Sequence, residues 1–381
     1  MSMVEWMTIG SLISRKRLKA KDNYKHYPVF AVTNSLGFAL SSSLHDFTIH
    51  SEDTSNYLVV EKNDFAYNPS RLNIGSIAYF DNYSKGLISP MYVVFHADEN
   101  KVLTEYLFIV LKSEAIRNKI DSLKEEGARF RFDFKRWDLI SIPIPSLSEQ
   151  ERIVGILDTF TASIDNLKEQ IAQRSKQYEY YRDQLLDLEG KEGVEMMKIK
   201  DICINICSGG TPSTSHKEYY EGSVNWLRTQ EVDWGYIYDT EKRITEEAIA
   251  NSSAKLIPEN CVIVAMYGAT AAKVAINKIP LTTNQACCNL EIDKSKALYK
   301  FVFYWLCKEY LNLKAMGEGS QNNINGQKVK GYPVPLPSLS EQSRIVSILD
   351  TFEASITNLE SQLAQREKQY EYYRNKLLTF E

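Results

Sequence analysis

One segment of this sequence occurs twice. Pro145–Glu189 reads PSLSEQERIVGILDTFTASIDNLKEQIAQRSKQYEYYRDQLLDLE, and Pro337–Glu381 reads PSLSEQSRIVSILDTFEASITNLESQLAQREKQYEYYRNKLLTFE; 33 of 45 aligned positions are identical. A duplication of that fidelity decides the architecture before composition is considered. It extends to the start of each unit, where VEWMTI at Val4–Ile9 resembles VEMMKI at Val194–Ile199. The chain is therefore two units, each closed by the same segment. Between those ends, residues 10–130 and 200–320 share little beyond a rhythm of short strands and turns. One part of each unit is held fixed while the other varies, which suggests two different readers on a common frame.

The fixed segment has the pattern of a helix. Apolar side chains fall at Ile153, Leu157, Phe160, Ile164, Leu167, Ile171, Tyr178, Tyr181, Leu185 and Leu188, with Arg174 in the one missing place. The second copy has Ile345, Leu349, Phe352, Ile356, Leu359, Leu363, Tyr370, Tyr373, Leu377 and Phe380, with Arg366 in the gap. Alternating four- and three-residue steps over five heptads make a coiled-coil seam. Ser148 with Glu151 reads as a capping box, and Ser340 as the second cap. Prolines 143 and 145, and 333, 335 and 337, bar an earlier start. The pattern predicts long helices over 148–189 and 340–381, each about 60 Å long. A lone helix with such a stripe is unstable in water, so the two are expected to pair with each other, antiparallel. Arg174 and Arg366 are then polar breaks that fix register, or positions whose charge reaches out to water.

The expected fold is α+β, with a pseudo-twofold internal repeat: two globular domains, 1–141 and 196–332, separated by two long helices that pair as an antiparallel coiled coil. The helices belong to segments 142–195 and 333–381. The whole chain carries a net charge of −4, but the charge is uneven. Residues 1–141 sum to +1 and 196–332 to +2, whereas 142–195 and 333–381 sum to −5 and −2. Slightly basic lobes on acidic rods leave a weak electrostatic footprint for DNA. No apolar run reaches the roughly 18 residues that span a bilayer, and the first residues lack a signal pattern. These features lead us to expect a cytoplasmic protein that does not enter membranes. The six cysteines lack zinc-type spacing and are expected to be reduced and mostly buried. The five histidines likewise show no metal spacing.

The repeated proline-ended strand, PSLSEQ and long helix resemble the conserved region of type I restriction-modification specificity subunits. In the second variable part, GGTPS at Gly209–Ser213, EYYEGSVNWLRTQEV at Glu218–Val232, SSAKLIPENCVIVAMYGATAAKVAI at Ser252–Ile276 and QNNING at Gln321–Gly326 follow the order of a target-recognition domain of that family. FAYNPSRLNIGSIAY at Phe65–Tyr79 and GLISPMYVVF at Gly86–Phe95 resemble another type of such domain. The resemblance implies a non-catalytic subunit that reads a split double-stranded DNA target, one half per variable domain, with the helices setting the spacer. It implies two methyltransferase subunits docked on the helical frame, carrying S-adenosylmethionine and flipping the target adenine, and two restriction-translocase subunits in the full enzyme. No cofactor is expected in this chain. It has neither a P-loop nor an acidic-Pro-Pro-aromatic methylase motif; Asn68-Pro69-Ser70-Arg71 lacks the second proline and the aromatic.

Base reading needs planar donors and acceptors on loops or strand ends. Lys16 and Arg17 lie in the densest basic run, Arg15–Lys25, which reads either as phosphate contacts or as a solvated face. Arg129 and Arg131 alternate with Phe130, Phe132 and Phe134, which reads as a strand edge. Arg71 and Lys85 are further candidates in the first domain. In the second, Thr211 lies in a Gly-Gly-Thr-Pro turn, Arg228, Thr229 and Gln230 follow an apolar strand, and Tyr267 and Lys273 lie in the MYGATAAK loop. Gln321, Asn322 and Asn323 form an amide cluster, and asparagine is also a turn former. The aromatic stretch Lys300–Trp305 reads as a core helix.

Overall fold

A computed structural model describes residues 4–21, 26–34, 37–44, 53–81, 83–123, 130–317 and 323–380. The chain divides into two compact units. One holds residues 1–168 with 361–381, the other 169–360. Each unit therefore contains one variable part, half of one long helix and half of the other.

In each unit the variable part is closed at its base by a two-stranded ribbon. Glu5–Thr8 pairs antiparallel with Ser141–Ile144 (Trp6 opposite Pro143), and Glu195–Lys198 pairs with Pro333–Leu336 (Met196 opposite Pro335). Pro333 and Pro335 leave one edge of Pro333–Leu336 without a donor, and Pro143 removes one from Ser141–Ile144, so these strands pair on their other edge.

The variable parts do not align in sequence, yet their strands connect alike. In the first, one sheet runs in the order Ile13–Lys16, Val93–Ala97, Phe65–Tyr67, Ile77–Tyr79. In the second, the corresponding order is Cys203–Ser208, Cys287–Ile292, Val262–Ala265, Val274–Asn277, with Tyr236–Ile237 added at the edge. A second sheet places Val29–Thr33 parallel to Lys85–Ile88 in one unit and Val224–Leu227 parallel to Thr282–Thr283 in the other. Strands such as VIVA, β-branched and buried on both faces, form because helices or a second sheet cover each side; VVFHA is likewise buried except at His96.

A short helix lies against each first sheet: Thr104–Leu111 in one unit, Tyr299–Lys308 in the other. Tyr106, Leu107 and Val110 share a core with Phe65 and Phe95 of the sheet and with Ile153 and Leu157 of the first long helix. Phe301, Val302 and Leu306 do the same with Val262, Val274, Ile345 and Leu349. The KFVFYW stretch is thus buried helix.

The long helices span Leu147–Leu185 and Leu339–Leu377. They start one residue earlier and end four residues sooner than the heptad pattern alone predicts. The caps also differ from Ser148 and Ser340: Ser146 Oγ accepts from Glu149 N–H at 3.4 Å and Ser338 Oγ from Glu341 N–H at 3.3 Å. Each cap is the residue directly after its proline. Leu188 of the stripe and its neighbour Leu186 enter the core of the second unit, and Leu378 and Phe380 pack on the core of the first. Tertiary burial competes successfully for these apolar residues at the helix ends.

The helices pair antiparallel in both units. Phe160 meets Tyr373, ring centres 5.2 Å apart, and Tyr181 stacks on Phe352 at 5.3 Å. Leu157, Ile164, Leu167 and Leu349 are buried, and Phe160, Ile171, Phe352, Ile356, Leu359 and Leu363 are half-buried. The seam arginines do not simply reach outward. The Arg366 guanidinium lies over Phe160 at 5.7 Å and that of Arg174 over Phe352 at 5.9 Å. A cation over an aromatic face keeps the polar break compatible with the stripe.

Candidate nucleic-acid interface

In the second unit the candidate residues converge. The parallel strands Val224–Leu227 and Thr282–Thr283 end at the same edge of their sheet and deliver Arg228–Gln230 and Asn284–Gln285 side by side. Asn284 Nδ2 donates to Thr229 Oγ1 at 3.1 Å. The Thr270 hydroxyl donates to the Thr229 carbonyl at 2.8 Å, joining the MYGATAAK turn to the same spot. Gly268 N–H donates to Asn323 Oδ1 at 3.3 Å. The Thr211 hydroxyl donates to Gln285 Oε1.

The Gly-Gly-Thr-Pro turn is held by close packing. A Cβ on Gly209 would lie 1.9 Å from the Thr283 carbonyl oxygen, and one on Gly210 would lie 2.3 Å from Ala254 N. Gly210 N–H donates to the Thr283 carbonyl at 2.8 Å and Trp226 Nε1 to the Gly210 carbonyl at 3.0 Å. Only glycine admits that approach, and Thr211 is thereby fixed beside Gln285.

The charges at this surface are largely matched internally. Arg228 is paired with Glu241 and lies 3.6 Å from Glu231, and Lys273 pairs with Asp233 at 2.5 Å. Thr211, Gln230, Tyr267 and Gln285 are exposed, while Thr229, Asn284 and Asn323 are half-buried. The exposed chemistry is thus neutral amides and hydroxyls rather than unopposed cations. Such groups discriminate base edges more than they grip phosphates.

In the first unit the candidates fall into two places. Lys16 lies 2.6 Å from both Glu61 and Asp64, and Lys85 2.7 Å from Glu61. Hydrogen bonds from Lys16 and then Lys85 hold the Glu61 carboxyl down at about 2. Burial alone would lower Lys16, but the bonds to Asp64 and Glu61 outweigh it and raise its pKa. These two lysines are internal ion-pair partners. Arg17 follows the same strand and is exposed.

Arg71 and Arg131 are both exposed, and the segments that carry them are joined where Phe132 N–H donates to the Pro69 carbonyl at 2.9 Å. This bond corresponds to Ile324 N–H donating to the Met266 carbonyl, also 2.9 Å, in the second unit. Arg71 therefore occupies the hairpin turn equivalent to MYGATAAK, and Arg131 the place of Asn323. The strand-edge reading of the Phe-Arg alternation is corrected: residues 130–133 form no strand, and Phe134–Leu139 is a 3-10 helix because Asp133 caps it through Lys135 N–H at 2.9 Å. Arg129, Gln321 and Asn322 lie outside the described residues.

Several residues at these surfaces escape sequence reading. Asn284 and Gln285 sit in TTNQA after a two-residue strand too short to recognise. Asn34 Nδ2 donates to the Ile74 carbonyl at 2.7 Å, at the turn after Arg71. Lys112 Nζ donates to the Gly75 carbonyl at 3.1 Å, and burial, then the nearby Arg117, lowers its pKa. The signal available for Asn34, Asn284 and Gln285 is an amide directly following a strand.

The six cysteines are free thiols, and burial pushes those of Cys203, Cys261 and Cys288 up to about 12. Among the described residues no group of three or more His, Cys, Asp or Glu could hold a metal ion, and no helix is long and apolar enough to cross a membrane.

Two modules of one topology, carried on a helix pair made from a duplicated segment, define a double recognition scaffold. The family of the type I restriction modification DNA specificity domain matches residues 3–174 and again 191–367. The chain belongs to that family of type I restriction-modification specificity subunits. It is 32% identical over 400 residues to the EcoR124I/EcoR124II specificity subunit of Escherichia coli, covering 99% of this chain and 94% of that one. The S subunit of a type I system from M. genitalium has the same fold, with TM-score 0.61 and 15% identity over 100% of this chain and 97% of that chain. A chain from an assembled type I system gives TM-score 0.63 at 16% identity, covering 98% and 97%.

Proposed function

We propose that this chain reads an asymmetric, bipartite DNA target, each variable domain contacting one half-site, while the paired helices set the spacer and dock two methyltransferase subunits. Those partners carry S-adenosylmethionine and act on a flipped adenine; two restriction-translocase subunits complete the nuclease. The chain supplies recognition and no reacting group. One observation carries this reading. Two sheet pairs of the same connectivity present chemically different residues at equivalent places: Arg71 where the other has the Tyr267–Lys273 turn, Arg131 where it has Asn323, and Asn34 where it has Arg228–Gln230. A common scaffold with different side chains at the same place suits two readers of different sequence. The matched charges of the second unit suggest that affinity is shared with the partner subunits.

The test is a module exchange. Residues 196–332 are replaced by the variable domain of another family member, and modified adenines are mapped in a host that expresses the chain with its methyltransferase. One half of the target changes while the other half is retained. A change in both halves, or in neither, refutes the assignment of one half-site to each domain.

A further inference from the structure

The duplicated PSLSEQ segment contains a side chain that neither capping nor the heptad stripe explains. Gln150 and its repeat Gln342 lie in the first turns of the two long helices and are both 0% exposed. A glutamine on a helix beginning has no intrinsic reason to be buried. Gln150 Oε1 accepts from Leu103 N–H at 2.8 Å, and its Nε2 donates to the carbonyls of Lys101 at 3.1 Å and Pro145 at 2.9 Å. Gln342 Oε1 accepts from Leu298 N–H at 2.9 Å, and its Nε2 donates to the carbonyls of Lys296 at 3.4 Å and Pro337 at 2.9 Å. One carboxamide thus ties three things together in each unit: the end of the proline ribbon, the long helix, and the start of the short helix that lies on the recognition sheet.

Leu103 and Leu298 are the residues at which those short helices begin, and neither is capped by its own side chain. The rest of the contact between short and long helix is apolar: Tyr106 and Leu107 against Ile153 and Leu157, and Phe301 and Val302 against Ile345 and Leu349. Apolar burial is non-directional and tolerates sliding, whereas three hydrogen bonds from one planar group define an orientation. We propose that Gln150 and Gln342 are positioning residues that lock each recognition domain to its long helix, and through it fix the distance between half-sites that the complex accepts. This inference rests on the bipartite reading above.

The experiment uses the full chain assembled with its methyltransferase subunits, and DNA duplexes carrying both half-sites with the native spacer or one base pair more or less. Gln150→Leu and Gln342→Leu remove the bonds at nearly constant size. Gln150→Glu keeps the acceptor for Leu103 but turns an oxygen toward the Lys101 and Pro145 carbonyls. In each folded variant the preference for the native spacer over its neighbours falls at least tenfold, while discrimination against single base changes within each half-site stays as in the wild type. A folded variant that loses thermal stability but keeps its spacer preference overturns the proposal, since that is what a purely structural glutamine would do. Loss of base discrimination with spacer preference intact also overturns it. If the wild-type complex itself shows no dependence on both half-sites, the bipartite reading fails instead.

Discussion

Replacing one buried leucine on each long helix tests whether the two units have independent cores. Leu157 is 1% exposed and packs with Phe65, Phe95 and Tyr106; Leu349 is 0% exposed and packs with Phe301, Val262 and Val274. The two clusters have no residue in common among the described ones. Truncating a buried leucine to alanine costs about 2–5 kcal/mol, from lost transfer energy and the cavity left behind. Each unit holds about 190 residues, a size at which 1 kcal/mol moves a melting point by roughly 2–4 °C. A cost of about 3 kcal/mol therefore lowers one transition by roughly 6–12 °C. Calorimetry measures the shift, and hydrogen exchange read by peptide locates it. Leu157→Ala weakens protection in Phe65–Tyr67 and Val93–Ala97 and leaves Val262–Ala265 and Cys287–Ile292 as they were; Leu349→Ala does the reverse. If either substitution loosens both sets equally, the cores are one cooperative body and the reasoning from separate clusters is wrong.

Three further outcomes follow from particular contacts. Phe160→Ala and Phe352→Ala each remove a tyrosine ring contact and an arginine stack, so each costs about 2 kcal/mol, below the fully buried value because both rings are half-exposed; calorimetry giving costs that differ by more than about 1 kcal/mol would contradict the pseudo-twofold seam. Gln285→Ala and Asn284→Ala weaken base discrimination by about 1–3 kcal/mol at one half-site, read by competition binding with single-base variants; an equal loss for every sequence would make them phosphate contacts. Glu61 lies at about 2 when folded against an ordinary 4.5. Its depressed pKa gives stability that is present above about 4.5 and lost as the pH falls toward 2, although partial exposure screens the effect. Acid titration of Glu61→Gln shows a flatter decline in that window, and an unchanged profile would remove the Lys16–Glu61–Lys85 network as its cause.

The helices were legible because a seven-residue stripe repeated in two copies needs no tertiary information. Their ends were not. Leu188 continues the stripe in sequence, but the nearby core buries it better than a seam open to water. Antiparallel pairing was legible from the same duplication, whereas the stacking of Arg174 on Phe352 depends on which residues face each other across the seam. Individual strands of the variable parts were legible but their order in the sheets was not: the shared connectivity resides in hydrogen-bonded pairing between strands with unrelated side chains. The same limit hid the state of the candidate cations. Lys16 meets Glu61 across 45 positions and Lys273 meets Asp233 across 40, and no local pattern announces such partners. Arg228–Gln230 and the MYGATAAK loop were legible as polar residues after a strand and at a turn, and the fold adds Asn284 and Gln285 between them.

The proline ribbons have an evolutionary consequence. Because each variable stretch enters and leaves through two strands stapled side by side, its first and last residues are neighbours in space. A genetic crossover in the similar sequences flanking it, VEWMTI or VEMMKI on one side and the PSLSEQ repeat on the other, would exchange the entire stretch as a cassette, with the splice points in or beside a ribbon whose register is the same in either copy. New target preferences can then be acquired in one recombination event, without re-evolving the joint that carries them.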